Sequence, residues 1–317
     1  MSNTHVVFGS GPLGQAAARA LVKRGQAVVL VNRSGQAPAG LDGVRVVAGD
    51  AYNLEFTRQI CQGAAVVYQC AQPAYHEWAE KFPPLQASIL EGAASAGAKL
   101  VVGENLYMYG EVDGPLHEGL PYAAATRKGR VRAEMAQALL AAHQAGRVRA
   151  ASARAADFYG PEVLESSLGA RAILPALRGQ TASLMGALDL PHTYTFIDDF
   201  GEALAILGER DEALGQAWHV PSPPTLTQRQ LMTLFFEEIG RPARLSAMGR
   251  LMLSLGGLFI PAARETVEML YEFEKPFVVD SRRFARAFGD IATPQAQAVK
   301  ATVAWYRRHL ANGHSAP

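Results

Sequence analysis

Short runs of apolar residues alternate with segments in which apolar residues recur every three or four positions, and this rhythm holds through the first two-thirds of the chain. His5-Val6-Val7-Phe8 is the first run. Leu13, Ala16, Ala17, Ala20 and Leu21 follow at helical spacing, and Gly25 after Arg24 is the stop signal. Ala27 to Val31 predicts a second strand and Val44 to Val47 a third, which ends at Gly49-Asp50. Ala65 to Gln69, Lys99 to Gly103 and Val148 to Ala153 predict a fourth, fifth and sixth. Helices lie between them, the clearest over Leu85 to Ala96 and Arg127 to Gln144. Strands that are apolar throughout, separated by helices, predict a parallel sheet covered on both faces.

Beyond Phe158-Tyr159-Gly160-Pro161 the rhythm changes, with Pro175, Gly179, Gly186 and Pro191 among short elements. Thr193 to Ile197 predicts a strand feeding a helix capped by Asp198-Asp199 and running to about Leu207. Thr227 with Gln230 predicts a capping box for a helix reaching Ile239. Gln295 to Leu310 predicts a closing amphipathic helix that carries Val299, Val303 and Tyr306. The division expected is a nucleotide-binding domain over 1–160 and a smaller mixed α/β substrate lobe over 161–317, with late strands free to rejoin the main sheet.

Between the first strand and first helix lies Gly9-Ser10-Gly11-Pro12-Leu13-Gly14. In that position the first two glycines permit a tight turn and let backbone N–H groups approach a pyrophosphate at the positive end of the helix. The third lets helix and strand pack closely. A Rossmann-type doubly wound sheet that binds a dinucleotide follows. About 20 residues beyond the glycines, where a carboxylate would hold an NAD ribose, stands Asn32-Arg33-Ser34. Asn32 is neutral, and Arg33 offers a guanidinium that pairs with a 2′-phosphate. NADP is therefore expected ahead of NAD. Cys70-Ala71-Gln72 after the fourth strand should run along the cofactor through its backbone.

Composition narrows the partners. At 317 residues, 49% hydrophobic and 19% charged, the chain has ample material for a core, and a net charge of +1 gives no reason to expect nucleic acid or an anionic membrane. Leu251 to Ile260, the most apolar late stretch, is too short to span a bilayer. Cys61 and Cys70 cannot make a disulfide framework, lack metal-site spacing and are expected to be buried and inert. With no leader-like segment ahead of the first strand, a cytoplasmic protein acting on a small molecule is expected.

In order along the chain, the glycine motif, Gly49-Asp50, Val102 through Tyr109-Gly110, Phe158-Tyr159-Gly160-Pro161, Phe196-Ile197-Asp198-Asp199 and Trp305-Tyr306 resemble the extended short-chain dehydrogenases/reductases, the group of the NAD(P)-dependent epimerases and dehydratases. The resemblance implies that Asp50 and Ala51 lie near the adenine, and that homodimers form through helices. It also implies a relay of Ser, Tyr and Lys, with Tyr and Lys four residues apart on one helix. Here that helix begins Thr126-Arg127-Lys128-Gly129-Arg130-Val131-Arg132-Ala133-Glu134. With Glu134 as the register mark, Thr126 takes the Tyr place and Arg130 the Lys place; placing Lys128 in the Lys role puts Ala124 where Tyr belongs. Asn105 takes the Ser place. All three relay members are changed.

Other groups must then be weighed. Glu104, directly after the fifth strand, is a candidate general base, or else it pairs with a cation such as Lys128. Tyr109 is a candidate proton donor, Tyr107 a candidate substrate contact, and Lys128 and Arg130 could hold ribose or phosphate. Arg127 and Arg132 are expected on an exposed face. Asp157, Tyr159, His192 and Tyr194 are candidate substrate-cleft residues. The chemistry expected is that of an NADP-dependent oxidoreductase on a small carbonyl or hydroxyl compound. Two alternatives stand beside it: a non-catalytic NADP(H)-binding or redox-sensing module, and an epimerase or dehydratase holding its nucleotide tightly.

Overall fold

The computed structural model of the chain describes residues 4–250 and 267–312. The apolar stretch Leu251 to Ile260 lies outside them. Seven strands form one sheet in the order β3-β2-β1-β4-β5-β6-β11, every neighbouring pair parallel. They are β1 (Thr4–Phe8), β2 (Ala27–Asn32), β3 (Val44–Ala48), β4 (Ala64–Gln69), β5 (Lys99–Glu104), β6 (Arg149–Arg154) and β11 (Ala217–His219). The order reverses between β1 and β4, so the loops after these two strands open into the crevice where ligands of such sheets bind.

Helices cover both faces because the strands present apolar side chains on both. On one side α1 (Pro12–Lys23) and α6 (Ile197–Glu209) pack Ala17, Leu21, Phe200 and Leu204 against Val7, Leu30 and Val101. On the other, α2 (Leu54–Ile60), α3 (Trp78–Ser95) and α4 (Arg127–Gln144) bring Phe82, Leu85, Ile89, Met135 and Leu139 against Val6, Val67 and Leu100. Helix α3 starts seven residues before the periodicity predicted, because Trp78 and Phe82 extend its apolar face while Pro83 and Pro84 mask the pattern.

A second core gathers α5 (Ala170–Leu177), α7 (Gln228–Ile239) and the closing helix Gln295–Ala311 around Ile173, Phe235, Phe236, Val299 and Tyr306. The capping box at Thr227 and Gln230 forms with both hydrogen bonds present. Helix α6 differs from expectation. Phe196 is its N-cap, and the two aspartates sit in its first turn. There Asp198 takes a hydrogen bond from Arg19 at 2.8 Å and Asp199 two from Thr293, at 2.8 and 2.6 Å. Three small pairings complete the lobe among the described residues: β7 (Asp157–Tyr159) with β10 (Tyr194–Phe196) and β8 (Ala182–Met185) with β13 (Leu245–Met248), both parallel, and β9 (Pro191–His192) with β12 (Leu226–Thr227), antiparallel. Both α6 and β11 come from beyond residue 160 yet belong to the layers of the main sheet. Cys61 is buried and Cys70 half-buried, and neither is in a disulfide.

Candidate functional site

The turn after β1 is shaped by close approach. Gly9 has φ +101°, and a Cβ there would lie 2.6 Å from the Ala71 amide nitrogen. A Cβ on Gly14 would lie 1.8 Å from the Gly9 carbonyl oxygen, whereas one on Gly11 would meet nothing within 4 Å. Gly14 is thus a packing residue, away from the cleft wall, and Gly11 borders open space. Helix α1 starts at Pro12 with Gly11 as N-cap and no side chain capping it, which leaves its first-turn N–H donors for a ligand.

That open space is a cleft of about 770 Å³. Gly9 to Leu13 form its floor, with Cys70, Ala71 and Gln72 from the end of β4 beside them. Asn32, Arg33, Ser34, Asp50 and Ala51 close one end. Asn32 works on the loop around it: its amide donates to Ser10 Oγ at 3.2 Å and the Gln36 carbonyl at 2.9 Å, and its oxygen accepts from Gly35 N at 2.6 Å. Arg33 is exposed and makes no ion pair among the described residues. Asp50 uses one oxygen to accept from Tyr52 N at 3.0 Å. An uncapped helix start, an unfilled cradle at Gly11 and a free guanidinium at the rim fit an anionic dinucleotide.

Where β5 ends, the structure corrects two expectations. Glu104 is fully buried, and Arg154 Nε donates to it at 2.9 Å while Arg132 Nη2 does so at 3.4 Å. With its two oxygens occupied by the two guanidiniums, Glu104 is a structural ion-pair partner on the cleft wall. Arg132, expected to be exposed, is 1% exposed. Lys128, Val131, Arg132, Met135 and Leu139 share the inward face of α4, so Thr126 and Arg130 face elsewhere. Thr126 is the N-cap, accepting from Gly129 N at 3.1 Å; exposed Arg130 donates to the Ala125 carbonyl. Lys128 pairs with Glu268 at 3.0 Å and sits 4.4 Å over the Tyr75 ring, off the cleft wall.

Tyr109 also turns inward, away from the cleft. Arg154 Nη1 donates to its oxygen at 2.7 Å, and it lies 2.9 Å from His219 Nε2. His219 Nδ1 lies 3.2 Å from the Asp280 carbonyl, which only an N–H can satisfy, so Nε2 accepts from the Tyr109 hydroxyl. Burial pushes Tyr109 up to about 12 and His219 down to about 3. Tyr159 is fully buried in the second core, and Tyr194 donates to Gln228 Oε1 at 3.1 Å; neither reaches the cleft.

The other end of the cleft is built from Asn105, Tyr107, Asp157 and three residues that the sequence did not single out: Tyr75, Glu272 and Phe277. Asn105 Oδ1 accepts from Tyr107 N at 3.4 Å, and the Tyr75 hydroxyl donates to that of Tyr107 at 3.3 Å. Burial raises both phenols. Asp157 accepts from His192 Nε2 at 2.8 Å, and the His192 ring stacks on Phe273 and Phe277 at 4.6 and 4.9 Å, behind the wall. Glu272, in the short helix Tyr271–Glu274, is 3% exposed. Arg132 was findable, since residues 128, 131, 132, 135 and 139 follow helical periodicity. Glu272 carried no such signal.

A family model described as the NAD dependent epimerase/dehydratase family matches residues 6–220. A search of curated protein sequences finds no match. Among solved structures, a dTDP-glucose 4,6-dehydratase from Streptomyces venezuelae, with NAD and a second ligand bound, has a TM-score of 0.78 at 19% identity, over 97% of this chain and 98% of that one. A UDP-glucuronic acid 4-epimerase from Bacillus cereus, in complex with UDP-glucuronic acid and NAD, scores 0.77 at 16% identity over 96% and 99%. An epimerase from Methanothermobacter thermautotrophicus scores 0.80 at 15% identity over 98% and 94%. At these identities the likeness establishes the fold. With its glycine cradle, parallel sheet and a family match over two-thirds of its length, this chain belongs to the NAD-dependent epimerase/dehydratase family.

Proposed function

We propose that the cleft binds NADP in preference to NAD and that the protein is an oxidoreductase acting on a small carbonyl or hydroxyl compound. The observation that carries the cofactor preference is Arg33, unpaired among the described residues at the rim, with the neutral Asn32 in place of a ribose-binding carboxylate. Lys81, also on the cleft wall, adds a second cation there, though Glu77 already holds it. Bound in the cleft, the dinucleotide would supply or accept hydride. The chain's own part is to hold the pyrophosphate on the first turn of α1, the 2′-phosphate on Arg33, and the substrate among Tyr75, Tyr107, Asp157 and Phe277.

Fluorescence titration tests the preference. NADPH should bind the wild type more tightly than NADH, and Arg33→Ala should remove the difference, a change of roughly 10- to 100-fold for a charge-assisted fork. Equal affinities in the wild type refute the proposal. The alternative of a non-catalytic NADP(H)-binding module draws on Thr126 and Arg130 facing away from the cleft. Tight NADPH binding with no turnover across a carbonyl panel would favour it. Oxidised cofactor retained through purification would favour an epimerase or dehydratase.

A further inference from the structure

Two acids face the substrate end of the cleft, and they are differently supported. Asp157 is tied to His192 at 2.8 Å. Glu272 is 3% exposed and lines the same wall; its main-chain N–H bonds to the Met269 carbonyl at 3.2 Å, and its carboxyl group takes no hydrogen bond from another side chain among the described residues. A buried carboxylate without a partner is costly, whereas a buried carboxylic acid is not, and it keeps a donor to offer a ligand. Among the described residues, the groups that bear on Glu272 do nothing to favour its charge. They are the carboxylate of Asp157, the phenols of Tyr75 and Tyr107, and Tyr271 on its own helix. Burial first, then the Asp157 charge, raise its pKa well above the ordinary carboxyl value.

We propose that Glu272 is the acid of this cleft, giving its proton to the oxygen of a bound, uncharged carbonyl compound, while Asp157, fixed by His192, keeps that proton in place. The assignment rests on the oxidoreductase reading above. In the reduction, hydride from the reduced dinucleotide adds to the carbonyl carbon, the C=O π pair takes the Glu272 proton, and an alcohol results. Glu272 is left as carboxylate and recovers its proton from water entering the cleft. Tyr75 and Tyr107 are weaker choices, because burial moves a phenol further from neutrality but moves a carboxyl towards it. Phe277 and the two phenol rings supply an apolar wall, and the two carboxyl groups disfavour an anionic substrate. The class implied is an apolar aldehyde or ketone without an acid group.

The test combines a spectroscopic and a kinetic readout on the full chain. Infrared spectra of the wild type with NADPH should show the C=O stretch of a protonated carboxyl at neutral pH. Glu272→Gln should remove it, and Asp157→Asn should lower the pH at which it titrates. Benzaldehyde, cyclohexanone and 4-carboxybenzaldehyde serve as probes. The neutral compounds should be reduced and the carboxylated one poorly, and Glu272→Gln should cut turnover by about 10²–10⁴-fold with NADPH affinity unchanged. If Glu272→Gln does not fold, an unmoved titration in Asp157→Asn overturns the proposal. No protonated-carboxyl band in the wild type, or full turnover in Glu272→Gln, also overturns it while leaving the oxidoreductase reading intact. A wild type that holds NADPH and reduces no carbonyl compound overturns both.

Discussion

Gly14→Ala and Gly11→Val make opposite demands on the same loop. The new methyl of Gly14→Ala would stand 1.8 Å from the Gly9 carbonyl oxygen, and that gap must open to at least 3.0 Å. Gly9 has little room to retreat, since its N–H bonds to the Val31 carbonyl at 2.9 Å and Ala71 lies on its other side. With backbone as the obstacle, the cost falls at the upper end of overpacking, about 3 kcal/mol, or roughly 5–10 °C in Tm. The Cβ of Gly11→Val meets no protein atom within 4 Å, so the change should cost no more than ~1 kcal/mol as a poorer N-cap. Its branches instead fill the cradle. NADPH at a hundred times its Kd should stabilise the wild type by about 2.7 kcal/mol, and Gly11→Val should lose that increment entirely. Thermal melts with and without NADPH read both effects. Gly14→Ala melting like the wild type, or Gly11→Val responding fully to NADPH, would refute the assignment of packing to one glycine and ligand space to the other.

Three further outcomes follow from the corrected site. Glu104→Gln leaves Arg132 and Arg154 buried without their anion and should cost about 3–5 kcal/mol in urea unfolding; a loss below 1 kcal/mol would mean that the pairs are not formed. Thr126→Ala should cost about 1 kcal/mol through its cap and leave NADPH affinity unchanged, so weakened binding would return that residue to the site. His219 is neutral in the fold down to about pH 3, while the unfolded chain takes up its proton near 6.5. Its contribution is therefore complete above pH 6.5 and lost as pH falls towards 3. Between pH 6 and 4 the wild type should lose on the order of 1.4 kcal/mol per pH unit more than His219→Gln; parallel pH profiles would contradict a buried neutral ring.

The nucleotide half was legible because each of its features is local. Apolar runs mark β1 to β6, and the glycine spacing marks the turn after β1. The substrate end was not, because its parts meet only through tertiary contacts: Glu272 comes 115 residues after Asp157 in the numbering, and neither lies in a periodic segment. Helix α4 misled for a different reason. Four basic residues in its first six suggest a solvated face, yet its period places Lys128 and Arg132 inward, where Glu268 and Glu104 neutralise them. Register from a family pattern gave way to the packing of Met135 and Leu139.

Strand β11 bears on how the chain is made. Nearly all the residues at the nucleotide end of the cleft have left the ribosome by residue 160, but β6 waits for Ala217, Trp218 and His219 to pair with Ser152, Ala153 and Arg154. At typical synthesis rates that interval lasts roughly 3–12 s, with the apolar edge of a twisted sheet open to other chains. Helix α6, which covers one face, arrives only shortly before. A fragment ending at residue 160 would carry the glycine cradle on a sheet whose long β6 edge invites association, whereas one extended past residue 220 would end that side on the three-residue strand β11. Chaperone dependence of nascent chains should therefore fall sharply as His219 emerges and takes its place against the Tyr109 hydroxyl.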